Sequence, residues 1–212
     1  MSLSKEQIDA SLKAVARKDA TVKTWLKHIG PPEPRSRPRG YEALLRTLIG
    51  QQVSVAAARS IAAKLEAAIG SLGDPAVVLA AKDDDLRAAG LSWQKVSYAK
   101  ALAEAVTTGV LNFRKLARLG DEEAIAMLSS VKGFGRWSAE IYLMFAEGRA
   151  DIWPSGDLGV QEGLKRLQNL DERPRDKATR DIGAIWSPHR SAMALFCWHV
   201  YATTAAAEKA AL

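Results

Sequence analysis

The chain of 212 residues carries 30 Lys and Arg against 24 Asp and Glu, which gives a formal charge of +6 and a pI near 9.5. It is 48% hydrophobic and 25% charged, a balance that excludes a disordered or fibrous chain and allows one domain or two small lobes. The excess of positive charge favours a polyanionic partner.

The single cysteine, Cys197, excludes an intramolecular disulfide, a cysteine-based zinc site and a cysteine-ligated iron–sulfur cluster. The stretch 1–20 alternates in charge and has no apolar core, so it does not resemble a secretory signal. No stretch reaches the roughly 18 apolar residues that a membrane helix needs. We therefore expect a cytoplasmic protein with no membrane partner.

Apolar residues recur at helical spacing along almost the whole chain, as Ile8, Leu12 and Val15 do in the first segment. No segment shows the alternation of a β-strand, so we predict an all-α fold of about ten helices joined by short loops. Three polar caps or helix-starting prolines mark helix starts. They are Ser4 with Gln7, Asp74 before Pro75, and Ser187 before Pro188, the last opening a final helix over 188 to about 207.

The segment 30–40, GPPEPRSRPRG, differs from its surroundings because its prolines forbid a helix. We expect an extended strap that joins an N-terminal helical pair to the core, and contact of its three arginines with DNA is the alternative. Residues 1–40 are therefore predicted to pack with the C-terminal lobe, and residues 41–212 to form the core domain.

The turn 90–95, GLSWQK, lies between two predicted helices. It would present backbone N–H groups and Lys95 to DNA, or serve only as an interhelical turn, and both interpretations stay open at this point.

The stretch 127–145, MLSSVKGFGRWSAEIYLMF, places two helical patterns on either side of a glycine turn. Glycine permits positive φ and close approach of a backbone, and the start of the following helix offers unpaired N–H groups to an anion. Such a turn holds a DNA phosphate without reading the base sequence. An ordinary interhelical turn is the alternative for this pattern alone.

Asp157 follows Pro154, Ser155 and Gly156 at the start of an amphipathic helix. Taken alone it is an N-cap. Cleavage of an N-glycosidic bond builds positive charge on the sugar, and a fixed carboxylate beside that sugar would stabilise the transition state without a metal or organic cofactor. This interpretation depends on the neighbouring hairpin.

The sequence resembles the helix-hairpin-helix DNA glycosylase superfamily over roughly residues 40 to 205. The resemblance lies in the order of a hairpin, a following helix and an aspartate at the start of the next helix. The resemblance implies the fold of that superfamily, with helices in two lobes and a cleft between them, and makes Asp157 the catalytic residue. It assigns the hairpin near 128–138 to the DNA backbone through Lys132, Gly133, Phe134, Gly135 and Arg136. A monovalent ion at the carbonyls of Val131 and Phe134 is left open, and no other metal is expected.

Trp137 stands where the bifunctional members carry their Schiff-base lysine, which implies a glycosylase without lyase activity. A tryptophan there is typical of the AlkA-type 3-methyladenine DNA glycosylases. Segments 48–54 and 187–191 are also similar to this branch, and the chain resembles a compact form of it. The resemblance implies a base pocket and a wedge that fills the space left by the flipped base. The pocket residues are Trp137, Trp198, Ile141 and His199; the wedge is Gln52, with Gln51 beside it.

The other four tryptophans and three of the glutamates are given a structural interpretation. We expect Trp25, Trp93, Trp153 and Trp186 to fill the core, and Glu140, Glu147 and Glu162 to lie on solvated helix faces. The three histidines are not spaced as metal ligands.

The resemblance implies a monomeric enzyme that flips and excises alkylated purines of the 3-methyladenine and 7-methylguanine type from damaged double-stranded DNA, which begins base excision repair. In a bacterium it would be associated with the nucleoid. A non-catalytic helix-hairpin-helix DNA-binding module and a related glycosylase for deaminated or oxidised bases are the alternatives.

Overall fold

The computed structural model describes residues 2–210, and their side chains as far as 206. Within that range the chain forms thirteen α-helices and no strand, which confirms the all-α prediction. The sequence predicted only about ten helices, because several helices are only one or two turns long and show no periodicity. In chain order the helices are α1 (Lys5–Ala16), α2 (Ala20–Ile29), α3 (Tyr41–Gly50), α4 (Val55–Ile69), α5 (Pro75–Ala80), α6 (Asp83–Ala88), α7 (Trp93–Thr107), α8 (Phe113–Leu116), α9 (Asp121–Ser129), α10 (Arg136–Tyr142), α11 (Leu158–Leu167), α12 (Asp176–Gly183) and α13 (Arg190–Ala210).

Two of the three predicted helix starts are confirmed. Ser4 and Gln7 form a reciprocal capping box at α1, and Asp74 accepts a hydrogen bond from the backbone of Ala76 in front of Pro75. The third prediction is wrong, because α13 begins at Arg190. Before it, the 3₁₀ turn Ala184–Trp186 continues through Pro188, and the backbone N–H of His189 donates to the Trp186 carbonyl at 2.7 Å.

The described chain divides into two compact units. Unit 1 comprises the residues up to Ser36 together with those from Leu143 onward, and unit 2 comprises Arg37–Tyr142. The expected division placed 41–212 in one core domain. It differs from this arrangement because the chain leaves unit 2 again after Tyr142.

The core of unit 1 is built around the crossing of α11 and α13. A Cβ atom at Gly163 would lie 1.9 Å from the Cys197 carbonyl oxygen, so only glycine permits the two helices to approach this closely. Burial raises the pKa of the Cys197 thiol. The N-terminal helices also belong to this unit, since α1 and α2 pack on α13 and the Trp186 indole donates to Asp19 at 3.1 Å.

The core of unit 2 is formed mainly by α3, α5 and α7, with Leu44, Leu48 and Leu102 fully buried. Trp93, at the start of α7, is 59% exposed, so its predicted core position is wrong. Its ring instead lies 5.0 Å from the Arg87 guanidinium. Because the first residue of a helix has no preceding turn to cover it, a side chain there reaches solvent easily.

The strap is confirmed as irregular, since residues 30–39 form no helix.

Two of the other predicted core tryptophans, Trp153 and Trp186, are buried and make an edge-to-face contact at 5.5 Å. Trp25 is only half-buried. Along residues 2–210 we find no helix that is long and apolar enough to cross a membrane.

Candidate active site and nucleic-acid interface

Asp157 is both the N-cap of α11 and the partner of an indole. Its Oδ1 accepts hydrogen bonds from the backbone N–H of Val160 at 2.9 Å and from Nε1 of Trp198 at 2.8 Å. Two donors on one oxygen fix the plane of the carboxylate, which remains partly exposed. The N-cap interpretation and a functional one are therefore compatible, because the capping carboxylate is also partly exposed.

The loop that leads to Asp157 is held by bonds from inside unit 1. The Gln161 amide donates to the Ser155 carbonyl at 2.7 Å, and the Ser155 hydroxyl, fully buried, bonds to Asp176. The Trp153 indole donates to the Thr179 carbonyl at 2.8 Å. Buried polar groups that all find partners specify one loop conformation, and this one sets the position of the carboxylate.

Trp198 forms an aromatic platform next to Asp157. Its ring stacks on Phe145 with the centroids 5.6 Å apart, and the Arg35 guanidinium lies 5.8 Å from its centroid. A Cβ atom at Gly159 would lie 2.7 Å from Trp198 Cδ1, so glycine there permits the close approach of indole and carboxylate. The sequence interpretation missed Arg35 and Phe145, although the arginines of the strap had suggested a functional role.

The glycine turn of unit 2 has the predicted helix-hairpin-helix form between α9 and α10. Gly133 adopts φ +93°, and a Cβ atom there would lie 2.4 Å from the ring of Tyr98. Phe134 is 4% exposed and anchors the turn, and its N–H donates to the Val131 carbonyl at 3.0 Å. Gly135 does not have a positive φ, and a Cβ atom there would lie in open space. Of the two glycines, only Gly133 therefore has the positive φ that the turn was expected to need.

The basic residues of the hairpin are engaged with protein groups. Arg136 donates to both oxygens of Glu122 at 2.6 and 2.8 Å and to Glu140 at 2.8 Å. These bonds, first the one with Glu122, raise the pKa of the Arg136 guanidinium. Lys132 donates to the Ser97 hydroxyl at 3.0 Å and is exposed. The predicted backbone contacts of both residues stay predictions.

Glu140 is 2% exposed, so the prediction of a solvated position is wrong. Its neighbours Ala139, Ile141 and Tyr142 are buried as well, and the guanidinium of Arg136 supplies charge compensation for the carboxylate. The spacing of four residues between Arg136 and Glu140, with apolar residues on both sides of the glutamate, is the sequence signal that would have revealed it.

The predicted wedge loop follows α3. Gln52 is exposed and adopts φ +55°, in the left-handed region, whereas the Gln51 amide donates to the Gly133 carbonyl of the hairpin at 3.1 Å. The ammonium of Lys95 donates to the carbonyls of Ile49 and Gln51 at 2.7 and 2.8 Å, which favours the structural interpretation of the turn 90–95. A polar cavity of about 440 Å³ is lined by the wedge loop, the hairpin and the start of α7. The lining residues are Gln51, Gln52, Ser92, Gln94, Lys95, Tyr98, Gly133, Phe134 and Gly135.

The predicted pocket residues fall in both units. Trp198 and His199 belong to unit 1, where Nε2 of His199 donates to the Ile29 carbonyl at 3.1 Å. Trp137 and Ile141 belong to unit 2, where Trp137 is 42% exposed and Ile141 is buried. Their common assignment to a base pocket stays a prediction from the resemblance. Among the residues with described side chains, no group of His, Cys, Asp and Glu could hold a metal ion.

Comparison with known proteins gives a consistent result. The sequence model of the HhH-GPD superfamily base excision DNA repair protein family matches residues 45–188. The DNA-3-methyladenine glycosylase 1 of Schizosaccharomyces pombe is 30% identical over 204 residues, which cover 92% of this chain and 90% of that protein.

Solved structures with a similar fold include two at 28 to 29% identity. The crystal structure of a DNA-3-methyladenine glycosidase from Bacillus halodurans matches with a TM-score of 0.83 and 29% identity, over 92% of this chain and 91% of that one. A 3-methyladenine DNA glycosylase of Schizosaccharomyces pombe, solved in complex with abasic DNA, matches with a TM-score of 0.79 and 28% identity, over 92% and 97% of the two chains.

Proposed function

Because the chain belongs to the HhH-GPD superfamily of base excision DNA repair proteins, we propose that it is a monofunctional DNA glycosylase that removes alkylated purines from double-stranded DNA. The observation that carries the proposal is the carboxylate of Asp157, partly exposed, fixed by the Trp198 indole and placed at a helix start. The relatives named for 3-methyladenine, at 28 to 30% identity over nine-tenths of the chain, support the substrate class.

The chemistry assigned to Asp157 is electrostatic. As the bond between sugar and base lengthens, positive charge develops on the deoxyribose, and a negative group held beside it lowers the barrier. The hydrogen bond from Trp198 keeps the carboxylate in one orientation, so little reorganisation is needed during the reaction. Carboxylate oxygens accept several hydrogen bonds each, so the group is also suited to orient an attacking water molecule.

The aromatic surface next to Asp157 is suited to the proposed substrates. N-alkylated purines such as 3-methyladenine and 7-methylguanine are electron-poor, and an indole face attracts them more than it attracts an unmodified base. A cationic base is also a good leaving group, so the proposed reaction does not require a second carboxylate as a strong general acid. The proposed stacking partner is Trp198, with Trp137 added on the basis of the resemblance.

The hairpin is proposed to hold the DNA strand through its backbone. The start of α10 presents N–H groups and the positive end of a helix dipole, which bind a phosphate irrespective of base sequence. The exposed Gln52 is proposed to fill the gap that the flipped base leaves. A single copy of the chain on duplex DNA with damaged bases is the proposed complex.

Base release from methylated DNA tests this function. Purified protein is incubated with duplex DNA treated with a methylating agent, and the freed bases are separated and identified. We expect 3-methyladenine and 7-methylguanine, abasic sites without strand cleavage, and no adduct after borohydride reduction, because Trp137 replaces the lysine nucleophile. Release of deaminated or oxidised bases instead would favour a related glycosylase, and tight binding without any release would leave only a DNA-binding module.

A further inference from the structure

Gln52 has a backbone conformation that requires external support. It is a non-glycine residue at φ +55° on an exposed loop, a conformation that costs about 1 kcal/mol or more. Such a residue keeps its conformation only when the chain on both sides is fixed. On the C-terminal side the Ser54 hydroxyl caps α4 through the N–H of Ala57 at 3.2 Å. The support on the N-terminal side comes from another helix.

Lys95 of α7 provides that support. Its ammonium donates to the Ile49 carbonyl at 2.7 Å and to the Gln51 carbonyl at 2.8 Å, on either side of the residue that ends α3. Carbonyl groups at a helix C-terminus have no intrahelical donor and carry partial negative charge, so they favour a cation. The bond to Gln51 fixes the peptide directly before the strained Gln52.

The position of Lys95 does not stabilise α7 itself, which indicates that its role lies in contacts with another helix. It is the third residue of α7, where the helix dipole disfavours a positive charge. Partial burial also lowers the pKa of its ammonium. Both costs are offset by the two carbonyl bonds, which join the start of α7 to the end of α3.

A third bond ties the same loop to the hairpin. The Gln51 side-chain amide donates to the carbonyl of Gly133, so the loop is fixed relative to the backbone that is proposed to hold the DNA strand. The Gln51 residue is thus held twice, at its carbonyl by Lys95 and at its side chain by the hairpin. The next residue, Gln52, is exposed, as are Val53 and Ser54 after it.

We propose that Lys95 is a positioning residue for base extrusion, which holds the end of α3 so that the loop presents Gln52 to the DNA stack. This inference rests on the proposed glycosylase function. Its consequence is specific: loss of the Lys95 bonds impairs the flipping of a base that is paired with its partner, and leaves the excision of a base that is already unpaired nearly unchanged. Flipping costs least when pairing has been lost beforehand.

The same helix offers a matched control. Lys100 of α7 also donates to carbonyls beyond its own helix, those of Leu79 and Ala81 at the end of α5, at 3.4 and 2.7 Å, and pairs with Asp83. Lys100→Met therefore removes a lysine–carbonyl contact of the same kind at a site that holds neither the wedge loop nor the hairpin. Lys95→Met removes the one beside Gln51.

The test compares two substrates that carry one 7-methylguanine, opposite cytosine or opposite a tetrahydrofuran abasic analogue. Single-turnover release is measured for wild type, Lys95→Met, Lys95→Arg and Lys100→Met, and 2-aminopurine fluorescence next to the lesion reports extrusion. For Lys95→Met we expect release from the paired duplex to fall about tenfold further than from the unpaired one. Lys95→Arg should recover part of the loss, and Lys100→Met should keep the wild-type ratio.

Each other outcome has a defined meaning. An equal loss on both substrates, or no loss on either, would overturn the positioning role. A Lys95→Met protein that does not fold is replaced in the comparison by Lys95→Arg, whose altered geometry should still reduce paired release selectively; a wild-type ratio in that variant also overturns the role. Absence of base release by wild type from both substrates would contradict the proposed function itself.

Discussion

The two units carry their candidate functional groups in different ways. In unit 1 the group is a side chain, the carboxylate of Asp157, and another side chain, Trp198, orients it through a hydrogen bond of 2.8 Å. In unit 2 the hairpin offers backbone atoms, the wedge loop presents the Gln52 side chain from a strained backbone, and side chains such as Lys95 support both. The proposed reaction thus depends on the identity of one side chain in unit 1, and the proposed contacts with DNA depend on backbone shape in unit 2.

This difference implies two kinds of mutational effect. A substitution at the carboxylate should stop the reaction while the fold and the affinity for DNA remain. Substitutions in unit 2 should change stability, affinity for DNA or base extrusion, because they alter the path of the chain or its support. Three of the four variants divide along this line, and the fourth, Asp151→Asn, removes a structural ion pair of unit 1.

Among these four variants Arg136→Ala should give the largest change, a loss of about 2 kcal/mol in the free energy of unfolding, because it removes the guanidinium that compensates the buried Glu140. The value lies below that of a fully buried pair since Arg136 is itself exposed. Urea denaturation measures it, and adding Glu140→Gln should restore part of the loss. Unchanged stability with weakened DNA binding would instead support the predicted phosphate contact of Arg136.

Gly133→Ala should weaken binding to duplex DNA about tenfold or more, independently of base sequence, since the new methyl group meets Tyr98 and the positive φ becomes strained. Fluorescence anisotropy with several unrelated duplexes measures the affinity. Gly109→Ala is the control: Gly109 has φ +79° with open space around it, so that variant acquires similar strain outside the hairpin. Equal affinity for the two variants would contradict the account.

Trp198→Phe should slow base release about tenfold at saturating DNA, because it keeps an aromatic ring and removes the N–H that orients Asp157. Single-turnover rates and the dissociation constant are measured on the same methylated duplex. The affinity should change little. A loss confined to affinity would mean that Trp198 serves binding and not the orientation of the carboxylate.

Asp151→Asn should have the smallest effect, about 1 kcal/mol of stability at neutral pH. Burial alone would raise the pKa of Asp151, but hydrogen bonds from Arg190 and Ser187 bring it below its usual value. Its contribution is therefore present above the unfolded-state pKa, about 4, and is lost as the pH falls through the lower folded-state pKa. Thermal unfolding of both proteins between pH 7 and pH 3 should show the difference shrinking, and a difference that grows with acid would be contrary to this assignment.

Local sequence patterns predicted much of the fold and the site. The capping box at Ser4, the helix start at Asp157 and the positive φ of Gly133 follow from residues within a few positions of one another. These are interactions that a single turn of backbone decides, so the residue types alone indicate them.

The contacts that were missed join distant parts of the chain. Lys95 meets a carbonyl 44 residues away, and Arg35 approaches Trp198 from the strap. The burial of Glu140 and the exposure of Trp93 are likewise set by tertiary packing, which overrides the usual preference of each residue type. Apart from the spacing of Arg136 and Glu140, the sequence contains no signal for these contacts beyond the charge and size of the partners.

Asp157→Asn tests the catalytic role of the carboxylate, when it is assayed in parallel for base release from methylated duplex and for affinity to an abasic-site analogue. The amide side chain of this variant would retain an oxygen for the N–H of Val160, so the helix start should persist. We expect release to fall by about a thousandfold while the affinity stays within a few-fold of wild type. Release at the wild-type rate would contradict this role.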